Sequence, residues 1–93
     1  MKVSIQCFGQ MRTITKERYV DIEVAERTSV LKALKLFSEK YGEELKELLY
    51  RDGKIRDFYF IQVDKTNVEN TELAKIILED EQTISIIPFI AGG

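Results

Sequence analysis

The residues of this chain whose types suggest chemistry stand at its end, where the sequence reads Ala91-Gly92-Gly93. At an ordinary glycine frequency of about 7%, two final glycines occur by chance in roughly 0.5% of chains. Glycine has no Cβ, so such a segment can enter a channel too narrow for side chains and can adopt backbone angles that other residues avoid. We therefore expect the α-carboxylate of Gly93 to be the reactive group, presented to the ATP site of a separate enzyme.

Little else in the sequence offers catalysis. The 93 residues include one cysteine and no histidine, whereas structural zinc needs four Cys or His ligands and catalytic zinc usually three ligands including His. Cys7 lies in an apolar strand pattern and is expected to be a small core residue. Because no nucleophile stands with a base, the chain is not expected to be an enzyme, and it is expected to bind no cofactor or metal itself.

The charge and the hydropathy of the chain argue against two classes of partner, nucleic acids and membranes. Fourteen basic and sixteen acidic residues give a formal net charge of −2 without a basic block, so nucleic acid is not an expected direct partner. No apolar run approaches the roughly 18 residues that a membrane span requires, and no signal-peptide pattern opens the chain. We expect a cytoplasmic protein with no membrane association.

Four strands that would position the reactive end are predicted, the first two from period-two alternation and the third from its aromatic and β-branched residues. They lie at residues 2–8, 19–24, 58–64 and 83–87, the last of them ending at Pro88. Apolar residues three and four apart predict a helix from Val30 to Tyr41, capped by Thr28 or Ser29 and ended by Gly42. A short helix is expected over residues 43–50, stopped by a turn at 51–53. Residues 9–16 and 65–67 are predicted to be turns, and 68–80 a loosely patterned link.

Alternation also assigns the faces of the sheet. Six residues should point at the helix: Ile5, Cys7, Ile61, Val63, Ile84 and Ile86. The opposite face should then carry Phe8, Phe58, Phe60, Ile87 and Phe89. An exposed apolar patch of this kind usually marks a partner site, unless residues 68–80 cover the aromatic rings. The order of elements predicts an α+β domain with a mixed β-sheet packed on one main helix.

Two segments of the chain carry a family resemblance. Val3-Ser4-Ile5-Gln6-Cys7-Phe8 and Ser85-Ile86-Ile87-Pro88-Phe89-Ile90-Ala91-Gly92-Gly93 are similar to the start and the end of the MoaD/ThiS group of prokaryotic ubiquitin-like proteins. The resemblance covers nearly the whole chain and is closest to MoaD-like proteins and archaeal ubiquitin-like modifiers. It implies a ubiquitin-like β-grasp fold, with one domain over residues 1–88 and a flexible tail over 89–93.

The resemblance also implies a reaction cycle. A ubiquitin-activating-like adenylating enzyme uses ATP to adenylate Gly93, and sulfur then replaces one oxygen to give a thiocarboxylate. In MoaD-like members the sulfur goes to the pterin of the molybdenum or tungsten cofactor, in a molybdopterin synthase complex with a larger MoaE-like subunit. In modifier-like members it goes to tRNA, or the C-terminal glycine is joined to lysines of target proteins. A module that uses only the β-grasp sheet to bind or support other proteins is a third reading.

The partner-binding residues follow from the same comparison. Phe8 and Ile87 match the apolar patch that binds the activating enzyme, and both fall on the outward face by alternation. Phe60 and Phe89 lie on that face too, and Arg12 matches a frequent arginine after the first strand, expected at the rim. The sequence departs from the family pattern at Thr13, at Asp64 to Asn67 and at Asp80-Glu81-Gln82.

Overall fold

A computed structural model describes residues 1–89, and the expectations for Ala91, Gly92 and Gly93 lie outside them. The strands of the described chain are β1 Lys2–Cys7, β2 Tyr19–Glu23, β3 Tyr50–Arg51, β4 Lys54–Ile55, β5 Tyr59–Val63, β6 Thr66–Val68 and β7 Thr83–Pro88. Its helices are α1 Gly9–Thr15, α2 Val30–Tyr41, α3 Glu43–Leu49 and a 3₁₀ turn at Asn70–Glu72. The four predicted strands and both predicted helices are therefore confirmed, with bounds shifted by a residue or two.

The main sheet has the strand order β2-β1-β7-β5-β6. β1 and β7 run parallel in its centre with Ile5 opposite Ile84, while the other neighbours are antiparallel. β3 and β4 form a separate two-stranded hairpin. The mixed sheet and its packing helix confirm the predicted α+β class.

One face of the sheet is covered by α2. Ser29 caps this helix, since its Oγ accepts a hydrogen bond from the Lys32 N–H at 3.1 Å, and Gly42 ends it with a positive φ of 87° that favours glycine. Its Leu34 and Phe37 are completely buried against the sheet, as are Val3, Ile5 and Cys7 of β1 and Ile84 and Ile86 of β7. All six residues predicted to face the helix are buried, which confirms the assignment of the inner face: Ile5, Cys7, Ile61, Val63, Ile84 and Ile86.

The prediction of a turn over residues 9–16 is wrong, because the chain forms α1 there. Gly9, with φ of 56°, turns the chain out of β1 after Phe8. Met11 and Thr15, four residues apart, then bury one face of the helix against the core. Lys16 closes the helix in a left-handed conformation, and its N–H donates to the Arg12 carbonyl at 2.7 Å.

The segments on either side of β6 also differ from expectation. The turn after β5 consists of Asp64 and Lys65, both at positive φ, so Thr66 begins the antiparallel strand β6 instead of lying in the turn. The link over residues 68–80 is more ordered than its pattern suggested, since Leu73 and Leu78 are buried in the core. Its backbone is held to the start of α2 by the bond from the Leu78 N–H to the Thr28 carbonyl at 2.9 Å.

The Asp64-Lys65 turn yields a stability prediction. A two-residue hairpin turn with positive φ at both positions favours glycine, and a lysine held at φ of 72° is strained. Replacing Lys65→Gly should therefore raise the free energy of unfolding by about 0.5–1 kcal/mol in urea titrations. The matched control Thr66→Gly puts the same residue into β6 and should lower it by a similar amount. Equal effects of both substitutions would contradict the turn geometry.

Candidate functional site

The outer face of the sheet is apolar at one end. The rings of Phe58, Phe60 and Phe89 are each about half exposed, at 46%, 48% and 50%, so residues 68–80 do not cover them. Phe60 stands opposite Ile87 across β5 and β7, and Phe8 directly follows the Cys7–Ile86 pair of β1 and β7. Both Phe8 and Ile87 are half-buried. The five residues predicted to face outward therefore gather at the carboxyl end of β7, and we call them the aromatic patch.

A polar row borders the aromatic patch. The register aligns one polar residue from each strand across the sheet, in the order Tyr19, Gln6, Ser85, Gln62 and Asn67. Within this row, Gln6 donates through its Nε2 to the Tyr19 hydroxyl at 3.1 Å, and its Oε1 accepts a bond from the Ser85 hydroxyl at 2.8 Å. Gln62 donates to Asn67 at 2.9 Å. The apolar surface is thus confined to the end of the sheet where the chain leaves it.

The exit of the chain from the sheet is held on two sides. Pro88 pairs with Tyr59, and the Phe89 N–H donates to the Phe58 carbonyl at 2.7 Å. The Phe89 ring meets the Phe60 ring edge to face at a centroid distance of 5.5 Å, a favourable aromatic arrangement. On the other side Gly9 lies beside Pro88, since a Cβ on Gly9 would be 3.9 Å from the Pro88 Cγ. The described chain therefore ends at a fixed point, Phe89, beside the aromatic patch.

Arg12 occupies the exposed side of α1, the helix that follows Phe8, and Thr13 beside it is also exposed. Its expected contact at the rim of a partner interface remains a prediction. Sequence reasoning missed that Arg12 stands on a helix. The apolar pair Met11 and Ile14, three residues apart, was the signal that could have indicated it.

Reactive groups are few in the part of the chain that the structure describes. Over residues 1–89, no group of three or more His, Cys, Asp or Glu side chains is placed to hold a metal ion. Within the same range, no helix has both the length and the apolar character needed to cross a bilayer. Cys7 is fully buried, and this burial raises the pKa of its thiol to about 11, an effect that the neighbouring Thr15 hydroxyl only partly offsets. The prediction that Cys7 is a core residue is confirmed.

Comparison with known proteins identifies the fold and the family of this chain. A mixed sheet with its first and last strands side by side, a covering helix and a chain end beside an apolar patch define a ubiquitin-like β-grasp protein of the MoaD/ThiS group. Residues 5–93 match the model of the ThiS family, and the chain belongs to that family. The match extends through all of Ala91-Gly92-Gly93.

Individual relatives agree with the family. A protein of Archaeoglobus fulgidus named "Putative sulfur carrier protein" is 34% identical over 74 residues, which cover 78% of this chain and 84% of the relative. The crystal structure of SAMP1 from Haloferax volcanii superposes with a TM-score of 0.86 over the whole of both chains at 16% identity. A protein–protein complex of subunits 1 and 2 of the molybdopterin-converting factor from Helicobacter pylori contains a chain with a TM-score of 0.63 and 25% identity, each chain being covered completely.

The buried thiol yields a prediction about reactivity. With a pKa near 11, only about one Cys7 in a thousand is a thiolate at pH 8, and the sulfur is shielded from solvent as well. Folded protein should therefore react with a thiol-specific disulfide reagent at least about 100-fold more slowly than urea-unfolded protein.

The control is the double variant Cys7→Ala/Thr13→Cys, which moves the single thiol to an exposed position on α1. It should react equally fast folded and unfolded. Rapid stoichiometric labelling of Cys7 in the folded protein would show that the core position is wrong.

Proposed function

We propose that this protein is a sulfur carrier whose Gly93 carboxylate is adenylated by a separate ATP-dependent enzyme and converted to a thiocarboxylate. The fixed exit of the chain beside the aromatic patch is the observation that carries the proposal. Membership of the ThiS family and the sulfur carrier name of the A. fulgidus relative support it. We place the reaction in the cytoplasm, where ATP and the activating enzyme would be available.

The chemistry needs only a free carboxylate from this chain. A carboxylate is a poor electrophile, so one of its oxygens first attacks the α-phosphorus of ATP and pyrophosphate leaves. A sulfur nucleophile at the oxidation level of sulfide then attacks the acyl carbon, and AMP leaves with the original oxygen. The adenylating enzyme supplies the ATP site and the transition-state stabilisation. The carrier supplies an unhindered terminus and a surface that brings the two proteins together.

Geometry sets where that surface must be. Four residues follow Phe89, and even a fully extended chain of that length spans at most about 14 Å. The nucleotide site of the enzyme must therefore lie within that distance of the Phe89 position. The aromatic patch lies within the same distance, and its exposed aromatic rings are a residue type enriched at protein interfaces, so we place the contact with the enzyme there.

The acceptor of the sulfur is proposed to be the pterin precursor of the molybdenum or tungsten cofactor. In this role the chain would be the small MoaD-like subunit of molybdopterin synthase, bound to a larger MoaE-like subunit. The full-length match to a chain in the complex of subunits 1 and 2 of the H. pylori molybdopterin-converting factor supports this assignment. The small subunit would itself be non-catalytic, since its contribution is the thiocarboxylate.

Conjugation is the second candidate function, favoured by the higher TM-score of 0.86 to SAMP1, a small archaeal modifier protein. In that reaction a lysine amine of a target protein attacks the activated Gly93 carbonyl and forms an isopeptide bond. Sulfur transfer to tRNA would use the same thiocarboxylate as the pterin reaction. The three acceptors can therefore be distinguished after activation. Conjugation would leave a target lysine attached to Gly93, whereas sulfur transfer would leave sulfur in the pterin or in the tRNA.

Activation can be measured by intact mass. The chain incubated with its adenylating enzyme, ATP and a sulfide donor should gain about 16 Da, the difference between sulfur and oxygen, at the C-terminal carboxylate. A variant lacking Gly92 and Gly93 should keep its mass and its fold. Unchanged mass of the intact chain, under conditions that convert another ThiS family carrier, would contradict the proposal.

The aromatic patch is tested by a pair of substitutions on β5. Phe60→Asp places a charge in the centre of the patch, and kcat/KM for activation should fall about 10- to 30-fold, as expected for loss of an interface anchor. Gln62→Asp puts the same charge on the same face of the same strand, but in the polar row, and should change kcat/KM less than about twofold. Equal losses for both variants would show that the patch is not the docking surface.

A further inference from the structure

The hairpin formed by β3 and β4 carries an exposed pair of cations whose position is explained neither by the core nor by the reactive end. Tyr50 pairs with Ile55 and Arg51 with Lys54 around a tight turn at Asp52-Gly53. Because side chains of one pair share a face of a hairpin, Tyr50 and Ile55 turn toward the core, where Ile55 is buried. Arg51 and Lys54 are both exposed on the other face.

This cross-strand pair places two positive charges opposite each other. Like charges in directly opposed positions destabilise a sheet, so the pair costs stability unless something anionic faces it. Arg56, two residues after Lys54, lines the same concavity of about 540 Å³. We call Arg51, Lys54 and Arg56 the cationic triad.

The carboxylates nearby do not neutralise the triad. Asp52 and Asp57 also line the concavity, yet the ion pairs found within residues 1–89 join only Lys46 with Glu43 and Lys75 with Glu72. Neither aspartate therefore lies within 4 Å of a triad cation. Arg56 also lines a groove with Glu44 and Glu47, whereas Arg51 and Lys54 share their concavity with Asp52 and Asp57 and form an ion pair with neither.

The cationic triad is continuous with the aromatic patch. Phe58 lines the concavity of the triad, and its carbonyl holds the Phe89 N–H at the exit of the chain. A surface that seats on the exposed rings of Phe58, Phe60 and Phe89 therefore extends over the hairpin. An apolar centre with a charged margin is the usual organisation of a protein–protein interface.

We propose that the β3–β4 hairpin docks an acidic surface segment of the protein that activates Gly93, with at least two carboxylates facing Arg51 and Lys54. This inference rests on the proposed function and adds the chemistry of the partner. An arginine fork pairs with a carboxylate through two hydrogen bonds, so the contact would fix the orientation of the partner as well as attract it. With that orientation fixed, the exit at Phe89 points toward the ATP site.

An acidic protein fits this surface better than a nucleic acid. The chain carries a net charge of −2, and the groove on the other side of Asp57 is lined by Glu69 and by no cation. A nucleic acid that ran from the cationic triad along the aromatic patch would bring its phosphates next to the carboxylates of Asp57 and Glu69, which would repel them. Nucleic-acid binding also needs an extended basic surface, which three cations do not provide.

The test compares two double charge reversals. Arg51→Glu/Lys54→Glu inverts the charge of the hairpin, and Lys32→Glu/Lys40→Glu makes the same change in charge at exposed positions of α2 that share no groove with the hairpin. Thiocarboxylate formation is measured with the adenylating enzyme over about 50 to 500 mM NaCl, a range that largely screens exposed charges. Thermal unfolding of both variants confirms that each is folded.

The hairpin variant should raise KM about 10- to 100-fold at low salt, leave kcat within about twofold, and lose the salt dependence shown by the native chain. The α2 variant should resemble the native chain at every salt concentration. Equal behaviour of the two variants, or a loss in kcat alone, would overturn the proposal. Binding of a total tRNA mixture that only the hairpin reversal abolishes would overturn it too, in favour of a nucleic-acid site.

Failure of the proposed function would look different from these outcomes. If the native chain is not converted while another ThiS family carrier is, both the function and the hairpin proposal fall together. If the native chain is converted but the hairpin variant matches the α2 variant, only the acidic partner is excluded.

Discussion

The parallel pairing of β1 with β7 is the constraint on which the rest of this structure depends. It places the first and last strands side by side at the centre of the sheet, with Ile5 against Ile84 and Cys7 against Ile86. These central residues are completely buried, so a slip of one residue in register would turn all four toward solvent. The end of the chain is consequently tied to the most strongly specified part of the fold.

That register determines what surrounds the chain as it leaves the sheet. With β7 also paired to β5, Phe60 must stand beside Ile87, and Phe89 reaches the Phe58 carbonyl. The same register aligns the polar row from Tyr19 to Asn67, which limits the aromatic patch to one end of the face. A single pairing pattern therefore both places the exit and builds an apolar surface next to it. For the proposed carrier, whose terminal carboxylate would enter another protein, this combination would leave the partner little freedom in where it docks.

Much of this architecture could be predicted because its determinants are local. Strict alternation in β1, the β-branched run that Pro88 ends in β7, and the apolar spacing of Val30, Leu34 and Phe37 each carry enough information to define a strand or a helix. The outward position of Phe8 and Ile87 follows from the same alternation. Assignment to the ThiS family then agreed with the resemblance read from the two ends of the sequence.

Other features depend on contacts that local patterns do not contain. α1 has only seven residues, the first of them Gly9, and the apolar spacing of Met11 and Ile14 is too short a signal to establish a period. β6 is polar and becomes a strand because the Asp64-Lys65 turn returns the chain along β5. The bond between Phe89 and Phe58 joins residues about 30 positions apart in the chain, and only the sheet register brings them together. The position of the cationic triad beside the aromatic patch likewise depends on how the β3–β4 hairpin folds back next to Phe58.

The central claim is that the chain is held as far as Phe89 and that its reactive end starts there. Amide hydrogen exchange of the free protein, followed by NMR, tests this at a single atom, since the Phe89 N–H is bonded at 2.7 Å to the Phe58 carbonyl. The account predicts that this amide exchanges at least about 100-fold more slowly than in an unstructured peptide, together with the amides of β7. Exchange of Phe89 at the unstructured rate, while the amides of Ile84 and Ile86 remain protected, would contradict it.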